Sequence, residues 1–504
     1  MSYRSTSALM IPALLSALLA GCTTVGKDYA GPPAVPQAAS FARAGDAADN
    51  KQVLARWWPA LGDTTLDRLV DAALKANPNL DVARARLRQA RAALGTERAN
   101  GRPNGTATAM AAHVRLPPLG DALGGADTGS GSSGDGAAGQ GGDSSGFAVP
   151  SSLNLYSVGF DATWEIDLFG GHRRAVEAAG AAYEAAEAQL ADAQLSLTAE
   201  VANAYINLRS VQQRIALSDA AIARQQRMLD LTARRVQAGT ASQLDLTRLQ
   251  GQLETTRADS EPLLSQRDAY CDELATLAGL APGALDAQLA AAAPVPLPPA
   301  SVATGDPAAM LKRRPDIRAA ERTLAARTAQ IGQADAARFP RLTLLGLIGI
   351  GGTHPSDLTH LDDFSAILAP QLSWNFLDFG HNAARIEQAE GVRDEAEAQY
   401  RVAVLGALRD AEGALSRFKQ RRATVATIAR AKAAAEHATE LMAARQKAGT
   451  ASLIDLLDTE RQQIAAEQNL AQAQAALTGE FVALHKALGL GWQAGAMAQA
   501  SSAP

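Results

Sequence analysis

Cysteine is almost missing from this chain of 504 residues, which holds Cys22 and Cys271 and no others. Cys22 ends an N-terminal address segment, so Cys271 is the one thiol left to the folded part. No internal disulfide can form, and a buried, inert side chain on a helix is its expected state. A strong charge of one sign is also lacking. The 47 basic and 52 acidic residues leave a formal net charge of -5, or -6 without Arg4, and neither value provides a basic field for nucleic acid. The N-terminal apolar run from Ala8 to Ala20 is too short for a spanning helix. No catalytic pattern emerges. Gly346 to Gly352 is rich in glycine but lies in a strand pattern, outside the strand-turn-helix setting of a phosphate loop. His354 and His360 share a loop without the setting of a metal site, Ser, His and Asp occur without nucleophile context, and long Ala-rich helices give paired carboxylates no pocket. An enzyme is the least favoured class, and no catalytic residue, metal or cofactor is expected.

What is present is a repeat. Ala238-Gly239-Thr240-Ala241-Ser242 returns letter for letter as Ala448-Gly449-Thr450-Ala451-Ser452, 210 positions on, and each copy separates two long helical segments. The glycine suits the left-handed residue that closes a helix, and the serine three residues later can cap the next one. Such a short turn makes the two helices antiparallel. Asp245 and Asp455 follow at Ser+3, the spacing of a capping box.

At the same offset Trp164 meets Trp374, Phe169-Gly170 meets Phe379-Gly380, and Gly279-Leu280 meets Gly489-Leu490. Upstream the offset becomes 237: Pro78, Leu80, Leu87, Leu94 and Pro103 match Pro315, Ile317, Leu324, Ile331 and Pro340. The difference, 237 minus 210, falls between Pro103 and Trp164, where a Gly/Ser/Asp-rich tract runs from about Gly120 to Gly146. The simplest reading is a whole-unit duplication with one loop lengthened in the first copy. That loop is either an external disordered segment, as its composition favours, or a receptor surface.

The organisation follows. Residues 1–21 form a signal, and Leu19-Ala20-Gly21-Cys22 resembles the lipobox of bacterial lipoproteins, in which Cys22 receives the lipid; Thr23 after it fits sorting to the outer membrane. An extended Ala/Pro/Gly-rich segment occupies 22–63, anchored by Trp57-Trp58-Pro59. Helices of the first copy cover 64–102, a β-hairpin 103–169, and a helical hairpin 170–280 with its tip at 239–242. A linker over 281–310 leads to the helix at 311–339, the second β-hairpin at 340–379, the second helical hairpin at 380–488 with its tip at 449–452, and a tail over 489–504. From Gly170 to Ala238 a continuous helix would span about 100 Å, and breaks are expected along it.

The strand assignments rest on a change of period. Val158, Phe160, Ala162, Trp164, Ile166 and Leu168 alternate with Ser157, Gly159, Asp161, Thr163, Glu165 and Asp167. Phe364 to Phe376 repeats the alternation with Ser365, Gln371, Ser373 and Asn375 on the polar side; Leu342 to Ile350 gives a third strand and Thr106 to Val114 a weaker fourth. Four strands with an apolar face and open edges are not a stable end state. In a membrane that face meets lipid, but a barrel must close and one chain has too few strands. Several subunits must pool theirs.

The lipobox, the Trp-Trp-Pro segment, Leu168-Phe169-Gly170 and Asp378-Phe379-Gly380, the doubled tips and the internal repeat together resemble the outer membrane factors of tripartite efflux systems, the TolC-like family. They look most like its lipoprotein branch that partners resistance-nodulation-division (RND) pumps. The resemblance implies a mainly α protein with a membrane β-barrel. It would be a homotrimer with a long α-helical barrel and a 12-stranded β-barrel, four strands per subunit, lipid-anchored in the bacterial outer membrane and reaching into the periplasm. It also implies two partners: a periplasmic adaptor docking on Gly239, Thr240, Ala241, Ser242, Gly449, Thr450, Ala451 and Ser452, and an RND-type inner-membrane pump that supplies the energy. Two other readings stay open, an outer membrane channel for ABC-driven protein secretion and a lipid-anchored coiled-coil scaffold without a pore.

A periplasmic gate is expected at the tips. Asp455 and Asp458 are three apart on one helix face, while the positions 210 earlier are Asp245 and Arg248. Three second hairpins would gather six carboxylates, whereas each first hairpin can offset Asp245 with Arg248. Like charges ~6 Å apart repel by about 0.7 kcal/mol in water and about 3 kcal/mol at an effective dielectric of 20. The family resemblance places Asp455 and Asp458 at its acidic constriction; capping alone is the competing account of Asp455. Where well-known members carry an arginine two residues past the tip glycine, this chain has Ala451.

Overall fold

The computed structural model describes residues 24–36, 38–43, 56–115, 152–360, 362 and 364–490. The signal, Cys22, the Gly/Ser-rich tract and the tail beyond Leu490 lie outside the described residues. The chain divides into two compact units. One comprises Met1–Asp28, Leu94–Glu177 and Ala329–Ala389; the other comprises Tyr29–Ala93, Ala178–Thr328 and Glu390–Pro504.

The elements run α1 (Thr64–Ala76), α2 (Pro78–Asn100), β1 (Asn104–Arg115), β2 (Ser152–Ile166), α3 (Gly171–Gln237), α4 (Gln243–Leu277), α5 (Asp286–Leu289), α6 (Pro307–Arg313), α7 (Pro315–Ala336), β3 (Arg341–Gly352), β4 (Phe364–Ser373), α8 (His381–Lys447) and α9 (Leu453–Ala487). The long helices obey the repeat to the residue: both bounds of α8 are those of α3 plus 210, and both bounds of α9 are those of α4 plus 210. The breaks expected between Gly170 and Ala238 do not occur, because α3 is one helix of 67 residues. Its Ala-rich sequence holds no proline and one interior glycine, Gly180, whose cost of about 1 kcal/mol is too small to break so long a run of helix formers. The linker is partly helical, with α5 and α6 inside or overlapping 281–310. No helix among the described residues is long and apolar enough to cross a membrane.

The first unit holds an antiparallel sheet in the order β1-β2-β3-β4. Both hairpins pair in the same register: Asn104 faces Thr163, and their counterparts Arg341 and Ser373 face each other. One face is continuously apolar across the central strands and β4, with Val158 opposite Ile350, Phe160 opposite Ile348, and Gly346 opposite Leu368. The opposite face carries Thr108, whose hydroxyl donates to Asp161 at 2.9 Å, together with Thr163, Glu165, Thr343 and Gln371. That face is less polar than the alternation predicts, since Leu345, Leu347 and Ile367 also lie on it. The strands also end sooner. β2 stops at Ile166, short of Leu168, because the Asp167 carboxylate turns to accept from the Arg173 amide at 2.9 Å and caps α3. β4 stops at Ser373, short of Phe376.

The second unit is built on helix contacts. Trp57 and Trp58 are buried, and the Trp57 ring stacks on His485 at 5.5 Å and meets Phe481 edge-on at 6.2 Å. Asp63 caps α1 by accepting from Thr65 N at 2.8 Å, and its other oxygen accepts from the Tyr205 hydroxyl at 2.6 Å. Arg209 then donates to Tyr205 Oη at 2.9 Å and to Ala291 O at 2.6 Å, tying α3 to the linker. Cys271 is buried, and burial pushes its thiol above the usual range. The α3 residues from 178 to 237, all in this unit, would cover about 90 Å.

Candidate functional site

The site begins with the two tips, which fold alike because their letters are alike. Gly239 and Gly449 take φ of 73° and 78°, the left-handed region that a Cβ disfavours. Thr240 N donates to Arg235 O at 2.8 Å and Gly239 N to Val236 O at 2.9 Å; Thr450 N donates to Arg445 O at 2.9 Å and Gly449 N to Gln446 O at 3.0 Å. This is the paired-bond closure that satisfies carbonyls at a helix end. Each threonine hydroxyl adds a bond to the same arginine carbonyl, at 3.1 Å in both copies. A Cβ built on either glycine meets nothing within 4 Å, so both tips are open there.

The capping that follows differs between copies. Ser452 Oγ accepts from Asp455 N at 3.1 Å, and Asp455 Oδ2 accepts from Ser452 N at 3.1 Å and from Ser452 Oγ at 2.8 Å, a complete capping box. These bonds from Ser452 hold the Asp455 carboxyl below its ordinary range. In the first copy Ser242 Oγ accepts from Leu244 N at 3.1 Å, so Asp245 is not drawn into a box.

The charge pairing runs opposite to expectation. Among the described residues Asp245 and Arg248 form no ion pair, whereas Asp458 Oδ1 lies 3.9 Å from Arg461 Nη2. The position 210 before Arg461 is Gly251. Sequence reasoning passed over Arg461, although its spacing of three from Asp458 was visible. Asp455 and Asp458 are both exposed on α9, while Leu456 between them is buried. The structure thus brings Asp455 to the cap, leaves Asp458 facing solvent beside a cation, and keeps Asp245 and Arg248 apart.

The second part of the site is the sheet. Its apolar face is open in one chain: Phe160 is 67 % exposed and Leu368 73 %. At the helix-proximal end of each hairpin a tryptophan sits with its indole N–H bound to backbone, Trp164 to Gly101 O at 3.1 Å and Trp374 to Arg338 O at 3.0 Å. An apolar band edged by aromatic residues is what lipid-facing strands present. Among the described residues β1 and β4 each leave one edge without a partner.

Long paired helices with cap-closed tips, joined in sequence to an amphipathic open-edged sheet, define a channel subunit of the outer membrane type. The chain belongs to the outer membrane efflux protein family, whose sequence profile matches residues 69–280 and 307–490. It is 31 % identical to outer membrane protein OprJ of Pseudomonas aeruginosa over 96 % of each chain, and 30 % identical to nodulation protein T of Rhizobium leguminosarum bv. viciae over 96 % of this chain and 93 % of that one. The structure of the outer-membrane channel OprN superposes with a TM-score of 0.80 at 32 % identity, covering 93 % of this chain and 99 % of that one. The Campylobacter jejuni CmeC channel shares the fold at a TM-score of 0.83 and 19 % identity. The protein is an outer membrane efflux channel component that extends into the periplasm.

Proposed function

We propose that three copies of this chain form a passive conduit, each giving four strands to a 12-stranded barrel and its long helices to a periplasmic tube. The observation that carries this is the sheet: an apolar face exposed in the single chain, with unpaired edges at β1 and β4. Open edges do not persist in hydrocarbon, and a non-conducting helical scaffold would have no use for such a sheet.

The tips serve both as iris and as docking point. A periplasmic adaptor contacts Gly239 to Ser242 and Gly449 to Ser452, where small exposed residues let another helix tip approach. An RND-type inner-membrane pump supplies the energy. Acyl chains on Cys22 add a second membrane attachment. At the iris Asp455 and Asp458 face the cargo, with Arg461 offsetting part of the charge, so the mouth favours cations less strongly than six bare carboxylates would. Relatives are named for efflux of toluene, solvents and cations and for pyoverdine export; the cargo here is of that small-molecule class.

Purified protein in detergent should have the mass of three subunits and give discrete single-channel conductance in planar bilayers. A stable monomer without conductance overturns the conduit. Asp455→Asn with Asp458→Asn should reduce cation selectivity; unchanged selectivity and closed-state current would remove both residues from the gate.

A further inference from the structure

The conduit reading says that β4 of one subunit meets β1 of the next, but not which residues meet. We propose, on the basis of that reading, that this seam copies the internal β2–β3 seam, with Trp374 opposite the partner subunit's Ala107 and Phe379 stacked on the partner subunit's Arg102.

The two copies match in strand register and in the turns that lead into their hairpins. The hairpins share one register. The indole bonds of Trp164 to Gly101 and of Trp374 to Arg338 are related by the same offsets of 210 and 237. So are the turns that precede β1 and β3, where Arg102 N donates to Ala99 O at 2.9 Å and Phe339 N to Ala336 O at 3.2 Å. Within a subunit the copies meet once in the sheet, at β2–β3, where Trp164 faces Leu344 and Ile166 faces Leu342. Adding 210 to the first strand and subtracting 237 from the second gives the outer seam. Trp374 then faces the partner subunit's Ala107, and Phe376 faces the partner subunit's Gly105. Leu372 lies opposite the partner subunit's Ala109 on the apolar face, and Gln371 opposite the partner subunit's Met110 on the other.

Two local features are unexplained without such a seam. β2 runs to Ile166 because β3 pairs with it there, whereas β4 ends at Ser373, so Trp374 and Phe376 extend past it exposed. The second feature is Phe379. Its counterpart Phe169 stacks on Phe339 at 4.6 Å with an interplanar angle of 19°. Phe379 itself is 93 % exposed and holds φ of 50°, a left-handed conformation costly for an aromatic residue. Strain of this kind persists where surroundings demand it; the Asp378 carboxylate, accepting from Gly380 N at 3.1 Å and Asn382 N at 2.9 Å, holds the backbone turn, but the ring itself is left exposed. The position equivalent to Phe339, 237 earlier, is Arg102, whose flat guanidinium can lie on a phenyl face.

The test uses the full-length protein with Cys271→Ser as background. Within a subunit β1 and β4 are three strand spacings apart, about 14 Å, beyond the ~7 Å between Cα atoms that a disulfide tolerates. Any bond between Met110→Cys and Gln371→Cys therefore joins subunits. Oxidation should convert this double variant into covalent dimers and trimers, and the pair shifted by two, Ala112→Cys with Gln371→Cys, should bond severalfold less. Preferential bonding of the shifted pair, or none by either pair in a protein of trimeric mass, overturns the register and leaves the conduit standing; monomeric mass removes both. Phe379→Gly relieves the backbone but deletes the ring, so the trimer should dissociate at lower temperature in SDS. Arg102→Phe, which recreates the internal phenyl pair, should retain the trimer. A more resistant Phe379→Gly trimer overturns the stack.

Discussion

Ser452 and Asp455 hold each other through three hydrogen bonds at the start of α9, while Ser242 and Asp245, with the same spacing at the start of α4, share none. Identical tip letters therefore give two differently secured helix starts. Ser452→Ala should cost about 1 kcal/mol of local stability and speed amide exchange in the first turn of α9. Asp245→Ala should leave exchange in α4 nearly unchanged. Because the bonds depress the Asp455 carboxyl, their support is present above the ordinary carboxylate range and is lost as pH falls through the depressed value. First-turn protection of α9 should fall at acid pH in the wild type, and this fall should be absent in Asp455→Asn.

His485 gives a second pH dependence in another range. It lies buried between Trp57 and Phe481, its Nδ1–H donates to Phe481 O at 2.8 Å, and burial lowers its pKa from 6.5 to about 4. The folded state therefore prefers neutral imidazole. This contribution is intact above pH 6.5 and is lost between about 6.5 and about 4, reaching about 3 kcal/mol at full protonation. Thermal unfolding in detergent should show Tm falling over that interval, and falling less in His485→Phe.

Arg174 secures the start of the described chain. Its guanidinium is buried and donates to Val25 O at 3.1 Å and Gly26 O at 2.9 Å, with Asp28 at 2.7 Å and Glu177 at 2.7 Å. Val25 N in turn donates to Phe169 O at 3.0 Å. Arg174→Ala removes charge-assisted bonds and should cost about 2–3 kcal/mol locally. Trypsin should then cut after Lys27 markedly faster, with the helical circular dichroism unchanged.

The tips can be tested without disturbing the fold. Gly449 holds φ of 78° with open space around it, so Gly449→Trp strains one residue and puts bulk at the proposed adaptor contact. Export complementation should be lost while trimers still assemble. Normal export would exclude docking at this tip.

The duplication, the ends of the long hairpin helices and the strand periods were legible in the sequence because they are local properties: glycine at a left-handed turn, serine before a helix, alternation at a period of two; the helix expected at 311–339 instead starts at Pro315, after α6 has ended at Arg313. Trp57 and Trp58 were legible as anchors for the same reason, since two adjacent large aromatic residues in an Ala/Pro/Gly-rich segment need burial, although Trp58 opens a short 3-10 helix, Trp58–Leu61, where extended chain was expected. The charge pairing at the tips was less legible. Counting charges assigned the neutralised aspartate to Asp245, beside Arg248, whereas the nearby cation belongs to Asp458 through Arg461. Exposed side chains choose among several partners at little energetic difference, and residue spacing alone does not rank them. The strand ends were overrun because Leu168 and Phe376 keep the alternation after pairing within the subunit has ceased.

The sequence by itself determined two equivalent copies, their helical hairpins, and a sheet whose face and edges a single chain leaves open. Only the tertiary structure decided that the two hairpins pair in one register, that Asp455 is bound into a cap, and that Phe169 finds Phe339 while the Phe379 ring stays exposed. The reason is physical: period and turn chemistry act between neighbours along the chain, but which side chain meets which across 170 residues depends on distances that exist only after folding.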